Sequence, residues 1–229
     1  HIKAAFQNIE VRRMPVRIGL IHSVLPAISA VEAMFEKHWP DTQRASLFDQ
    51  SLYLDLNPAR SLPPNVVERV ADLVRHAHKA GADAILCTGS LFGTAIETVR
   101  QDMDIPVLTS FEALIETAFQ QGSKFALVAT DPGTNKMLSH DLERYATAHD
   151  KLLETETIFV DDAMQLLSQG NQAEHDQLVV TGALKAEPCD AILLGQFSMG
   201  PTKPLVIEST RLPVLDAPES AVLKLKSLL

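Results

Sequence analysis

Cysteine is scarce in this chain, with 2 in 229 residues, and the two stand at positions 87 and 189 in strand-like contexts. That usage argues against a disulfide scaffold and points to a reducing compartment, so a cytoplasmic protein is expected. Basic residues are also in short supply. Lys and Arg together number 20 against 29 Asp and Glu, which leaves a formal charge of -9 and a pI near 5.3. A nucleic-acid backbone or an anionic membrane would need a concentrated basic surface, so both are disfavoured as partners while small polar substrates remain open. No apolar run approaches the length of a membrane span, and His1 to Arg13 lacks the uninterrupted apolar stretch of a secretion signal. Met14 reads as a natural start, and the residues before it carry no functional weight.

Several catalytic signatures are missing too. There is no GxGxxG fingerprint, Walker loop, zinc-cysteine cluster or GxSxG elbow, which weakens nucleotide-dependent, metalloenzyme and serine-hydrolase readings. His76 and His78 stand two apart on a helix and do not share a face as a metal-binding pair would. Asp49 and Asp216 each follow a strand, but neither comes with a partner acid, so no glycosidase-like pair can be nominated.

What the chain does have is a near-repetition of itself. Arg17-Ile-Gly-Leu-Ile-His-Ser23 is echoed by Lys124-Phe-Ala-Leu-Val-Ala-Thr130, and Asp83-Ala-Ile-Leu86 by Asp190-Ala-Ile-Leu193, both at an offset of 107 residues. Two matches at one offset indicate two similar α/β lobes facing each other, with the site expected in the cleft between them. The hydrophobic content of 46% is ample for a buried core.

Aliphatic runs give the strands: Val16 to Ser23, Ala45 to Asp49, Ala84 to Thr88 and Pro106 to Thr109, then Phe125 to Thr130, Glu156 to Val160 and Ala191 to Gly195. Leu205 to Glu208 and Val214-Leu215 are shorter candidates. Val66, Val70, Leu73 or Val74, and Ala77 form the stripe of a helix ending near Gly81, and Ser110 is positioned to cap a helix from Phe111 to Gln121 that Gly122 ends. The stretch from Gln50 to Pro64, with Tyr53, Leu54 and Leu56, is long for a connection and reads as a cleft wall or an interface.

At Leu86-Cys-Thr-Gly-Ser-Leu-Phe-Gly93 and Leu193-Leu-Gly-Gln-Phe-Ser-Met199 the chain resembles the Asp/Glu racemase superfamily, which includes amino-acid and hydantoin racemases, maleate isomerase and arylmalonate decarboxylase. The resemblance covers essentially Val16 to the C-terminus. It implies two pseudo-symmetric flavodoxin-like α/β/α lobes with parallel-rich sheets: a first lobe over 14–107, a second over 108–207, and 208–229 returning to the first. It also implies chemistry without nucleotide, metal or pyridoxal cofactor, a small carboxylate as substrate or ligand, and a possible homodimer.

Family racemases place one cysteine at the end of a central strand in each lobe, one thiolate removing a proton while the other thiol delivers one to the opposite face. Here the repeat sets the comparison. Gln196 stands six residues after Asp190, and Gly89 six after Asp83, so neither position carries a thiol. Cys87 points to the same side as Gly89 in an extended strand and about 7 Å deeper. It is the candidate proton carrier or nucleophile, with a buried strand residue as the competing reading. Gly89 leaves room for a larger substituent, and Cys189 precedes its strand, away from Gln196.

The remaining polar residues read as binders. Ser23 and Thr130 are repeat partners at strand ends, while Thr88, Ser90 and Ser198 lie at the two central strand-to-loop junctions with Gln196 and Phe197. Their hydroxyls and nearby N–H groups suit carboxylate oxygens, aided by the positive end of a helix after Ser90; helix capping and turn satisfaction are the alternative roles. Gln196 can orient a carboxylate or amide but is no general base. Gly133 and Thr134 offer a backbone anion nest, although Asp131 beside them would repel an anion unless turned away. His22 approaches the cleft, but alternation sets it opposite Ser23. The expected activity is racemisation or isomerisation of a small carboxylate, with decarboxylation or elimination by a single thiol, or non-catalytic carboxylate binding, as alternatives.

Overall fold

The computed structural model describes residues 14–57 and 61–229; the segment before Met14 lies outside the described residues, as do 58–60 within the Gln50 to Pro64 stretch. The chain forms β1 (Arg17–His22), α1 (Leu25–His38), β2 (Gln43–Phe48), α2 (Ser51–Leu54), α3 (Pro64–Lys79), β3 (Ala84–Cys87), α4 (Gly93–Val99), β4 (Val107–Leu108) and α5 (Glu112–Gln121). It then repeats the alternation with β5 (Lys124–Ala129), α6 (Pro132–Ala148), β6 (Glu154–Phe159), α7 (Ala163–Ser168), α8 (Gln172–Ala183), β7 (Ala191–Leu194), α9 (Lys203–Thr210), β8 (Val214–Asp216) and α10 (Ala217–Leu228).

Two four-stranded sheets result, in the orders β2-β1-β3-β4 and β6-β5-β7-β8, and every described pairing is parallel. The two orders are the same once the repeat is applied, which is the doubled lobe expected from the sequence. The repeated aspartates show why the echo includes a charged residue. The Asp83 carboxylate accepts the Arg17 N–H at 2.8 Å, and the Asp190 carboxylate accepts those of Ser123 and Lys124, each at 2.8 Å. Each thereby satisfies the donor that the first residue of a central strand would otherwise leave open. Gly122 is part of this device, because a Cβ there would meet the Asp190 carboxylate oxygen at 2.2 Å.

Strand alternation sorts the apolar residues into three layers. Ile18, Leu20, Ala84 and Leu86 from the first sheet share one core with Phe125, Leu127, Ala191 and Leu193 from the second, and α1, α5, α6 and α10 supply the side chains between them. Ile21, Ile85 and Cys87 face the opposite way, onto α3 and α4. Val128, Ile192 and Leu194 do the same in the second lobe, against α8 and α9. Within 208–229, β8 pairs with β7, and only α10 crosses back to pack on α1 and α5.

Two local expectations are corrected. Leu205 to Glu208 is helical, inside α9, where Pro204 occupies the first turn, a position that suits proline because its missing N–H would be unpaired there anyway. The helix α5 is capped by Thr109 and not by Ser110. The Thr109 N–H donates to Glu112 Oε1 at 2.8 Å and the Glu112 N–H to Thr109 Oγ1 at 3.3 Å, a reciprocal capping box. Among the described residues, no helix is long and apolar enough to cross a membrane, and no group of three His, Cys, Asp or Glu is placed to hold a metal ion.

Candidate functional site

The carboxyl ends of both sheets converge on a small cavity of about 30 Å³ lined by Ser23, Thr88, Gly89, Ser90, Phe92, Tyr53, Asp131, Thr134, Met164, Gln196, Phe197 and Ser198. That is room for roughly one water. It adjoins a wider vestibule of about 570 Å³ walled by Val24, Leu25, Pro26, Tyr53, Leu54, Met164 and Leu167. The Gln50 to Pro64 stretch is thus a cleft wall at Tyr53 and Leu54.

Two hydrogen bonds cross the cavity from lobe to lobe. Tyr53 Oη donates to Asp131 Oδ2 at 2.9 Å, and the hydroxyls of Ser90 and Thr134 lie 3.0 Å apart. Tyr53 reaches the cavity because α2 is held by Arg69, whose guanidinium binds Ser51 Oγ and Asp55 Oδ2, each at 2.7 Å. Asp49 anchors the same turn by accepting the Ser51 N–H at 2.9 Å and is not a cavity residue. Asp216 is likewise structural: it caps α10 through the Glu219 N–H at 2.9 Å.

On the second lobe, Gln196 Oε1 accepts the N–H of Thr130 at 2.6 Å, the Thr130 hydroxyl at 3.1 Å and the N–H of Asp131 at 3.2 Å. These donors fix the amide's orientation, since only the oxygen can accept. Its Nε2 lies 4.0 Å from Met164 Sδ, on the cavity side. Thr130 is spent on holding Gln196 and is absent from the cavity lining, which breaks the symmetry expected with Ser23.

The backbone nest expected at Gly133 and Thr134 is already filled. Asp131 Oδ1 accepts both N–H groups, at 2.8 and 3.3 Å, because a β-conformation aspartate just before a helix turns its carboxylate onto the first-turn donors. Gly133 does not line the cavity, whereas Thr134 does so with its side chain. The helix expected after Ser90 is α4, which starts at Gly93.

Cys87 is not brought to the cavity. It sits on the outer face of β3 among Ile85, Leu91, Phe92 and Ile96, 2% exposed, and burial pushes its thiol up to about 12. Alternation aims it at α3 and α4, away from the other lobe. Gly89 does not leave space for a ligand substituent either, because a Cβ there would meet Phe92 Cδ2 at 2.4 Å. The Phe92 ring occupies that volume. His22 is fully buried, and desolvation lowers its imidazole to about 4; Nδ1 lies 2.9 Å from Thr88 Oγ1.

Residues 23–225 match the family model of Asp/Glu/hydantoin racemases. The chain belongs to this family. Solved structures agree at the level of the fold. A glutamate racemase of Bacillus anthracis superposes with TM-score 0.71 at 15% identity, covering 94% of this chain and 82% of its own. Allantoin racemase of Klebsiella pneumoniae gives 0.70 at 21% identity, covering 93% and 87%. Arylmalonate decarboxylase gives 0.64 at 21%, covering 93% and 92%. No curated protein sequence matches the chain. Among the described residues, the cavity lining holds hydroxyls, an amide and a Tyr–Asp pair, and no cysteine. Met164 and the Tyr53–Asp131 pairing were not foreseen as site features. Tyr53 signalled itself only as an aromatic in an overlong connection, and Met164 had no signal.

Proposed function

We propose that the protein is a carbon-acid enzyme that holds a small carboxylate in the interlobe cavity and moves a proton at the neighbouring carbon, as an isomerase or racemase or as a decarboxylase. The observation that carries the reading is the convergence of Ser23, Ser90, Ser198 and Gln196 at the carboxyl ends of two parallel sheets, where open α/β sheets bind ligands. The three hydroxyls and Gln196 Nε2 are donors for carboxylate oxygens. Tyr53, hydrogen-bonded to Asp131, takes the acid–base role that the buried Cys87 cannot reach. The Tyr53 oxygen takes the carbon-bound proton as its own hydroxyl proton passes to the Asp131 carboxylate, which leaves a carbanion, a neutral Tyr53 and a protonated Asp131.

Among the described residues, no Lys, Arg or His lines the cavity or the vestibule. A second carboxylate on the substrate would find no countercharge there, while the vestibule's Val24, Leu25, Leu54, Met164 and Leu167 suit an apolar body. The substrate class is therefore a carboxylate with one charged head and an apolar substituent. Incubation in deuterated buffer with phenylacetate, mandelate, aspartate and unsaturated dicarboxylates, followed by NMR and chiral separation, tests this. Deuterium at the α-carbon of the aryl acids, inversion, or loss of carbon dioxide is expected. Saturable binding of phenylacetate without any of these would leave a carboxylate-binding protein in its place.

A further inference from the structure

His22 is fully buried, yet both ring nitrogens meet hydroxyls. Nδ1 lies 2.9 Å from Thr88 Oγ1, and Nε2 lies 3.2 Å from Ser46 Oγ. The two hydroxyls belong to different worlds. Thr88 lines the interlobe cavity, whereas Ser46 is exposed on β2, the edge strand of the first sheet. Alternation explains the alignment: Leu20 and Leu86 face the core between the sheets, so His22 and Thr88, each two residues further on, rise from the same face of adjacent strands. The ring bridges solvent and cavity.

A buried imidazole that needed only satisfaction could be met by one fixed donor and one fixed acceptor, such as a backbone N–H and a carbonyl. Here each partner is a hydroxyl, able to donate or to accept. Both neutral tautomers are therefore served, and the direction of the whole line can invert. Thr88 Oγ1 also lies 3.3 Å from the Ile21 carbonyl, which gives its proton a resting acceptor while His22 donates. Burial keeps the ring neutral at pH 7, the form with one donor and one acceptor nitrogen that a two-way line requires.

We propose that His22 is a proton relay between the surface hydroxyl of Ser46 and the cavity hydroxyl of Thr88, supplying the cavity beside Gly89 with the proton route that a thiol would otherwise provide. The proposal rests on the carbon-acid reading above. When a substrate carbanion takes the Thr88 hydroxyl proton, Thr88 Oγ1 takes the proton of His22 Nδ1. His22 Nε2 then takes the Ser46 hydroxyl proton, and water restores Ser46. One proton passes from solvent to carbon, one C–H bond forms, and no electrons leave the substrate. Tyr53 with Asp131 removes the carbon-bound proton and this line delivers its replacement, so that exchange requires both. Thr88 is the group that would touch substrate; His22 acts through it.

The test reads exchange and tautomer separately. In deuterated buffer with phenylacetate, H22Q and the near-isosteric T88V should lose at least ~100-fold in α-deuterium incorporation, the lower range for one acid–base group, while T88S retains it and the Kd for phenylacetate is unchanged in H22Q. In protein labelled with ¹⁵N-histidine, the His22 ring should show both neutral tautomers at pH 7, with T88V collapsing them to the Nε2–H form. Wild-type exchange rates in H22Q, or a single tautomer that T88V does not alter, would overturn the relay and leave the carbon-acid reading standing. Bound phenylacetate with no exchange in the wild type would end both.

Discussion

Phe92 lays its ring over Gly89, so closely that a Cβ at position 89 would stand 2.4 Å from Phe92 Cδ2 and 2.7 Å from Phe92 Cε2. The aromatic ring thus fills the volume in which a side chain from the end of β3 would meet the cavity. Because Phe92 is 1% exposed, the ring cannot swing into solvent. Gly89→Cys should cost about 1–3 kcal/mol, the usual range for overpacking, and the double variant with Phe92→Ala should recover part of that loss. Urea denaturation of the two variants checks the non-additivity.

Tyr53→Phe removes the hydroxyl that ties α2 to Asp131 while keeping the ring in the cavity wall. A stability loss of about 1 kcal/mol is expected for the lost hydrogen bond, together with a fall of ~100-fold or more in α-deuterium exchange. The cavity of about 30 Å³ has room for roughly one water, so a carboxylate enters only as the lining moves, and Tyr53–Asp131 is one of the two contacts that cross it. Tyr53→Phe should therefore bind phenylacetate with a faster on-rate, measured by stopped flow.

The two cysteines should separate in thiol labelling. Cys87 is buried with its thiol raised to about 12, while Cys189 is only half-buried. Iodoacetamide at pH 8 should modify Cys189 in the native protein and reach Cys87 only after denaturation, read by mass spectrometry of the two peptides. Cys87→Ala should keep wild-type exchange activity. Its loss with the fold intact would restore the thiol to the mechanism.

The pH dependence of stability carries a signature of His22. Its folded pKa is lowered by burial to about 4 from 6.5, so between these values the unfolded chain binds a proton that the native state refuses. Stability is then full above pH 6.5 and declines as pH falls toward 4, by about 3 kcal/mol at most when the shift is converted at 1.36 kcal/mol per unit. His22→Gln should flatten the curve in that window. Glu219 acts lower: burial raises its pKa, but hydrogen bonds from Lys203, Lys37 and His38 outweigh this and hold it at about 2, so its contribution persists above the unfolded value and is lost as pH drops through 2.

The strands were legible because a parallel strand buried on both faces writes a continuous aliphatic run, and the offset of the repeat carries over to β4 and β8, which pair with β3 and β7 in equivalent registers. Where a short apolar run has no periodicity to arbitrate, as at Leu205 to Glu208, the reading failed and the helix α9 stands there. Ser23, Thr88, Gly89, Ser90, Gln196, Phe197 and Ser198 are legible as residues at or just after strand ends and do line one cavity, whereas Thr134, expected for its backbone N–H, lines it with that N–H already taken by Asp131. Cys87 stays a candidate from the sequence because alternation relates it to Gly89 without saying which face of the sheet meets the other lobe.

By itself the sequence determined two α/β lobes, which strands of one correspond to which of the other, and the strand ends at which polar residues gather, since these depend on spacing along the chain. Only the tertiary structure decided which donors are still free for a ligand. Asp131 consumes the N–H groups of Gly133 and Thr134, Gln196 consumes those of Thr130 and Asp131, and Tyr53 arrives from the opposite lobe to complete the wall. Hydrogen-bonding capacity is finite, and its allocation is settled between residues that meet only when the lobes close together.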